Sequence, residues 1–533
     1  MNAFSLAWDA LRDQLLPRRK VLAAIRSRWG QPGHGKARRA SAHFDLTRGT
    51  AAHVPVDDKT WLDLEFPEIF ARFDTTITPL GRQHLFSAMR TYVEEVQVLA
   101  ERYARAQTLR ADAALRERIQ LVLAALKDDR YADVADVIFG AAPQPVRYPR
   151  LLLLWSTIGV LTLVAAVGSM VPAWLVLVTV AINVLIILRT FGSLRRDSEA
   201  LKRCVAMLPV ATALCRLGDE AATGGALAKL RAQRPERKQV AITLRWFSLF
   251  QLELVQWISI WLNITFLLEL VAYARVLKHV AAVRAVLQST WELLGEIDAS
   301  IAVACALECS PVHCMPELSS APLIDIEDGG HPLLTHPTRN SLRLDGRSAL
   351  IAGSNMAGKT TMIKMVGTNI ILGRTLGFCL ASRAVIPQST VMASIRREHS
   401  VESGKSHYFG EVERLQTFIE YAKQQRCRVF VIDELFSGTN TIERLAIARA
   451  VLEQLGRDAQ VLVTTHDVEL QQDLSDDYDL YHFQENPDIE GFFDYRLRPG
   501  AAVDRNAIRL LGRVGFPSDI VARAMSLAAS GSG

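Results

Sequence analysis

The sequence predicts an α plus α/β chain: a helical domain interrupted by a transmembrane helical hairpin, then a C-terminal α/β domain with a phosphate-binding P-loop. Three observations predict it. The stretch Gly353, Ser354, Asn355, Met356, Ala357, Gly358, Lys359, Thr360, Thr361 fits G-x-x-x-x-G-K-[ST]. It lies between a strand-like run, Ser348–Ala352, and a helix-like run, Thr360–Leu372. A second apolar run, Arg428–Ile432, ends in Asp433 and Glu434, and Leu151 to Leu188 contains no charged side chain across 38 residues.

In chain order, residues 1–50 are basic, with ten Lys or Arg against three Asp. They lack the long apolar core and small-residue cleavage site of a signal peptide. Such a segment suits anionic lipid, nucleic acid or a solvated flexible tail, and the overall charge of +5 does not choose among them. Residues 51–146 read as helices with short breaks, punctuated at Phe73–Gly81 and resuming over Arg82–Leu99. Residues 147–192 read as the hairpin. A span needs about 20 apolar residues to cross about 30 Å of hydrocarbon. Val171 and Pro172 divide the run into Leu151–Met170 and Ala173 to about Phe191. Both halves are apolar on every face, which a buried hairpin satisfies only with partner surface all round. Arg147 and Arg150 precede the hairpin, Arg189, Arg195 and Arg196 follow it, and the turn carries no Lys or Arg. The positive-inside rule then makes both large flanks cytoplasmic and the location the inner, cytoplasmic membrane. The 50% hydrophobic content, beside an ordinary 22% charged, is therefore a local property.

Residues 193–320 read as long helices over Leu201–Leu217, Arg245–Val276 and Val280–Ala306. Leu254–Leu268 is uncharged between Glu253 and Glu269. It covers about 23 Å at 1.5 Å per residue, short of the hydrocarbon core. It reads as a buried or interfacial helix, with Trp257 and Trp261 on one face. Seven cysteines, an odd number, suggest reduced thiols rather than a disulfide framework. Cys305, Cys309, His313 and Cys314 cluster, but their spacing is too compact for the usual zinc ligand sets.

Residues 321–526 carry the chemistry, and residues 527–533 are a flexible tail. Backbone N–H groups of a glycine-rich turn approach a phosphate chain closely because no side chain intervenes. Lys359 then reaches the β- and γ-phosphates of ATP, and the Thr360 hydroxyl ligates Mg²⁺. A helix beginning there favours anions at its N-terminus. Asp433, at a strand tip, holds Mg²⁺ directly or through water. Glu434 orients or deprotonates the attacking water. A third strand, Gln460–Thr465, ends at His466, which contacts the γ-phosphate and reports its loss.

These residues resemble the MutS family of ATPases, whose loop reads G-P-N-M-[GA]-G-K-[ST]. Asn355 and Met356 are the diagnostic pair. Gly330-His331-Pro332 resembles that family's R-H-P segment, Asp433 to Asn440 its D-E-x-x-x-G-T-[ST], and Thr464-Thr465-His466 its A-T-H or T-T-H. Gly491–Gly500 and Ala507–Pro517 resemble its C-terminal segments, so the likeness runs over roughly residues 325 to 525. Thr75 to Leu85 resembles the start of the family's lever, which makes 51–146 and 193–320 two parts of a helical lever/core domain. The resemblance implies a homodimer through the ATPase domains, in which Ser437, Gly438, Thr439 and Asn440 contact the other subunit's nucleotide. Ser406 to Glu411 resembles a helix start at the same interface. His482 falls where the family stacks a residue on adenine.

Mismatch-repair members carry a large N-terminal domain with a Phe-x-Glu wedge. Here too few residues precede the lever region, and Phe66-Pro67-Glu68 lies in the wrong context. A DNA clamp has no clear room and a nuclease tail is absent. The expectation is a membrane-anchored MutS-like ATPase lacking the mismatch-recognition domain. It would bind and hydrolyse ATP as a dimeric switch coupled to DNA binding. Membrane lipid, DNA and an unidentified protein are its expected partners. The alternative is a membrane scaffold or gating ATPase acting on a protein or lipid without DNA. A transporter is disfavoured, because one hairpin is too little membrane for a substrate path.

Overall fold

The computed structural model describes residues 18–33, 39–49, 54–141, 149–217, 225–249, 264–268, 271, 280–354, 356–395, 407–436, 440–485, 493–502 and 516–530. Two compact units divide the chain. A helical unit takes Met1–Ala52, Ala71–Ala88 and Ala104–Cys309, and a sheet unit takes His53–Phe70, Met89–Tyr103 and Ser310–Gly533. The helical residues before the hairpin are thus shared between units, where the sequence suggested one lever domain.

The helical unit is organised on the helix Val280–Cys309. Leu287, Trp291, Leu294, Asp298, Ile301 and Cys305 are all buried, at alternating spacings of four and three that form one face. Asp298 is the charged member of that stripe. It accepts from the Ile77 N–H (3.2 Å), the Thr78 N–H (2.8 Å) and the Thr78 hydroxyl (2.7 Å). Thr78 in turn accepts the Gly81 N–H at 2.9 Å and so caps the helix Pro79–Arg90.

Burial pushes the Asp298 carboxyl up to about 6, against the opposing pull of its hydrogen bonds. An acid whose folded pKa lies above its unfolded value contributes stability below the unfolded pKa. That contribution is lost as pH rises through the folded one. The unit is expected to lose roughly 3 kcal/mol from this group between about pH 4 and pH 6. Asp298→Asn, which mimics the protonated acid, should flatten that slope in melting temperatures measured on the full chain across this range. An unchanged slope would remove Asp298 as its source.

The apolar run forms two helices, Pro149–Val167 and Trp174–Leu214. Among the described residues one helix, over Arg150–Val167, is long and apolar enough to cross a membrane. The apolar part of the second, Trp174–Arg189, is shorter. That helix continues unbroken to Leu214, where the sequence suggested a separate helix from Leu201. Leu161, Val167 and Leu177 are 67%, 81% and 70% exposed. The buried polar side chains of the run are paired. Trp155 Nε1 donates to Asn183 Oδ1 (2.7 Å), Asn183 Nδ2 to the Thr265 carbonyl (2.6 Å), and Ser156 to the Phe266 carbonyl (2.6 Å). Residues 264–266 are helical and Leu267 has φ +53°. The end of the third apolar stretch therefore lies against the hairpin, and Trp257 and Trp261 lie outside the described residues.

In the sheet unit a short antiparallel pair joins Val54–Pro55 to Thr91–Tyr92, and the strands from residue 310 onward are β1 (Glu317–Ser319), β2 (Leu323–Gly329), β3 (Asn340–Asp345), β4 (Ser348–Ala352), β5 (Arg383–Pro387), β6 (Val391–Ser394), β7 (Val429–Asp433), β8 (Gln460–Thr465), β9 (Tyr478–Glu485) and β10 (Phe493–Pro499). Six of them form a sheet ordered β10-β9-β4-β8-β7-β6, parallel except for β10. A smaller sheet is ordered β1-β5-β2-β3. All residues of β4 and β8 are buried, as central parallel strands covered on both faces should be. Phe418 and Phe430 stack at 4.6 Å in the core beneath the helix His407–Lys423.

Edge strand β6 explains why residues near 60 and 92 belong here. The N–H groups of Val391, Ala393 and Ile395, the last just past the strand, are accepted by Tyr92 Oη (3.1 Å), Thr60 Oγ1 (2.9 Å) and Asp63 Oδ2 (3.0 Å). Side chains from far upstream satisfy the donors that an open edge would leave bare.

Candidate nucleotide site

The loop between β4 and the helix Lys359–Thr375 depends on two glycines. Gly353 has φ +147°, and a Cβ there would lie 3.0 Å from the Phe483 carbonyl oxygen. Gly358 has φ +103° and occupies the N-cap; its Cβ would meet the Tyr495 ring at 3.3 Å. Both glycines therefore let the backbone turn where a side chain would be strained or crowded. Met356, at φ +72°, is 84% exposed, and Asn355 lies outside the described residues. The adjoining cavity measures about 550 Å³, and Ser354, Lys359, Thr360, Thr361 and Glu434 line it. Ala357 is buried under the loop.

Lys359 is buried, and its Nζ donates to the carbonyls of Gly353 (2.7 Å) and Ser354 (3.1 Å). Burial pulls its ammonium below the usual lysine range, while Glu434 and Asp433 oppose that pull. Thr360 Oγ1 lies 3.0 and 2.9 Å from the two carboxylate oxygens of Asp433. Thr464, one strand over, donates to Asp433 Oδ1 at 2.6 Å and accepts the Glu434 N–H at 3.2 Å. One threonine hydroxyl thus fixes both acids, a positioning role not assigned from the sequence. Among the described residues no group of three or more His, Cys, Asp or Glu could hold a metal ion. The donors present fit Mg²⁺ nonetheless, because that ion takes hard oxygen from one or two carboxylates and completes its shell with water and phosphate.

Glu434 sits 3.8 Å from Lys359 Nζ and 3.4 Å from His466 Nδ1. Its φ of +49° is a left-handed conformation, disfavoured by about 1–3 kcal/mol for a side-chain residue unless its surroundings enforce it. Thr464 holds its N–H, and Glu411 accepts the Phe436 N–H at 2.7 Å two residues on. Ser437, Gly438 and Thr439 lie outside the described residues. Asn440 caps the helix Thr441–Asp458 by accepting the Ile442 N–H.

The structure does not bring His482 to this cavity. Its Nδ1 pairs with the Gly500 carbonyl at 2.9 Å, while Phe483 and Tyr495 line the cavity. Successive residues of a strand face opposite sides, so a one-residue difference decides which ring reaches the site. His331 was read only as part of a motif, yet it too lines the cavity. Its Nδ1 accepts the Leu333 N–H at 3.3 Å, its Nε2 has no partner, and burial pulls it down to about 4, leaving a neutral ring at neutral pH.

A buried parallel strand, a glycine turn, a lysine-initiated helix and two acids at a neighbouring strand tip define a candidate phosphate site in a mixed α/β unit. Residues 349–530 match the family model of MutS domain V. The chain is similar to the DNA mismatch repair protein MutS of Natronomonas pharaonis, 30% identical over 49% of this chain and 31% of that protein. It is also similar to the endonuclease MutS2 of Thermus thermophilus, 31% identical over 38% of this chain and 27% of that protein. A third relative, the MutS of Desulforamulus reducens, is 30% identical over 38% of this chain and 24% of its own length. The likeness to the MutS family is thus a likeness of part of the chain, and the residues matched to domain V lie in the sheet unit. The matched part spans about a third or less of these relatives' lengths.

Proposed function

We propose that the protein is a membrane-anchored MutS-type ATPase that binds and hydrolyses ATP with Mg²⁺ as a dimeric switch coupled to DNA. The observation that carries this reading is the contact of Thr360 with Asp433, beside Lys359 and Glu434. Lys359 would bind the β- and γ-phosphates, and Thr360 and Asp433 would hold Mg²⁺, which neutralises phosphate charge. Glu434 would take the proton of the attacking water, and His466, 3.4 Å from it, would sense the γ-phosphate. Tyr495 and Phe483 are the aromatic candidates beside the base, in place of His482.

Coupling to DNA is supported by the relatives, two of which are described as DNA mismatch repair proteins. Anchoring is supported by the helix Pro149–Val167 and its exposed apolar side chains. Dimerisation through Ser437–Asn440 follows the family resemblance, and exposed Met356 suits an interface beside the loop.

The test is steady-state ATP hydrolysis by the full chain in lipid nanodiscs, with and without duplex, branched or single-stranded DNA at one fixed salt, since phosphate contacts are salt-dependent. Lys359→Ala is the blank and should lose nucleotide binding by roughly 10- to 100-fold, as expected for charge-assisted hydrogen bonds. Stimulation by one DNA form supports the reading. Hydrolysis indifferent to every DNA would overturn the DNA coupling, and hydrolysis no faster than the blank would overturn the ATPase.

A further inference from the structure

A second cavity, of about 490 Å³, opens in the sheet unit at the end opposite the glycine loop. Gln460 at the start of β8 and Arg428 just before β7 line it, whereas Asp433 and the glycine loop follow strand ends. Arg374, in the last turn of the helix that begins at Lys359, also lines it. At 1.5 Å per residue that helix separates the two cavities by about 25 Å.

The wall carries Arg374, Arg426 and Arg428 against one carboxylate, Glu94. Arg374 is 5% exposed; its Nη1 donates to the Val93 carbonyl at 2.8 Å, and its Nε has no partner. The Arg426 guanidinium lies 4.3 Å over the Tyr421 ring, and Arg428 Nη2 donates to Gln425 Oε1 at 2.5 Å. None of these contacts neutralises a charge. Three guanidinium groups less one carboxylate leave a formal +2 on the wall.

We infer that this cavity is a binding site for a phosphorylated small molecule, distinct from the glycine-loop site. A phosphate monoester carries about −1.5 to −2, which matches that surplus. Guanidinium groups pair with phosphate oxygens in two-point contacts that an ammonium cannot make. With its Oε1 occupied by Arg428, Gln425 presents its NH₂ as a further donor. The volume exceeds a bare phosphate and falls in the range of small-molecule sites, so the phosphate has a carrier. The site does not rest on the ATPase reading.

The test is calorimetric titration of inorganic pyrophosphate into the full chain in nanodiscs. Every sample carries Lys359→Ala, which weakens anion binding at the glycine loop. One binding event should persist in that background and weaken at least tenfold when Arg426→Ala and Arg428→Ala are added. Both arginines are exposed, so the triple variant should keep the melting temperature of Lys359→Ala. Absence of binding in Lys359→Ala, or affinity unchanged by the two arginine substitutions, would overturn the site. A second arm titrates citrate: binding tighter than pyrophosphate would overturn the phosphate assignment in favour of a carboxylate.

Discussion

Glu434→Gln is expected to stop ATP turnover while leaving ATP binding intact. A positioned general base contributes roughly 10²- to 10⁴-fold, and Gln keeps the shape of Glu without its basicity. The phosphate contacts assigned to the loop and Lys359 are untouched by the change, and removing a negative charge 3.8 Å from Lys359 does not weaken its hold on an anion. Glu434 also occupies a left-handed backbone position held by Thr464 and lies within reach of His466. Such strain at a polar residue in a cleft is itself a pointer to function. Phosphate release and filter binding on the same preparation separate the two effects. The variant should accumulate as an ATP-bound species, a trapped dimer on the proposed reading. Turnover at the wild-type rate would remove Glu434 from the chemistry.

Gly81→Ala should destabilise the helical unit by roughly 3 kcal/mol, the sum of a modest overpacking and a disturbed buried charge contact. In an ordinary helix the same change is favourable by up to about 1 kcal/mol. Here a Cβ would lie 2.3 Å from Asp298 Oδ2 and 2.6 Å from its Cβ. Asp298 would have to leave the Ile77 and Thr78 N–H groups that it accepts. A double-mutant cycle isolates the cause. In an Asp298→Gly background the penalty should vanish or change sign, because Oδ2, Cγ and Cβ of Asp298 are all gone. Denaturant midpoints of the four proteins measure it. A neutral Gly81→Ala in the wild-type background would refute the packing argument.

Local patterns made much of the sheet unit legible. β4, β7 and β8 each carry a run of three or four consecutive apolar residues, and each expected acid or His stands at or just past the tip of β7 or β8. The glycine spacing placed Lys359 and Thr360 on the helix that follows. Residue types gave less where the answer depended on distant chain. Nothing local marks Thr60, Asp63 and Tyr92 as the partners of β6, since the hydrogen bonds span about 300 residues or more. His482 and Phe483 are adjacent and both aromatic. Only the pairing of β9 with β4 decides which faces the glycine loop. The apolar run fixed two helices, but not that the second continues through Arg195 and Arg196 to Leu214.

By itself the sequence determined the strand tips, the glycine turn, the candidate phosphate and metal residues and the apolar hairpin. Each depends on composition and spacing within a few residues, where covalent geometry leaves few alternatives. Tertiary structure decided that residues 53–70 join the sheet unit, that Thr464 fixes both acids, and that Tyr495 and His331 line the cavity beside the glycine loop. It also gathered Arg374, Arg426 and Arg428 around one cavity. These depend on pairing register and on hydrogen bonds between remote segments, which close only when the whole unit is packed.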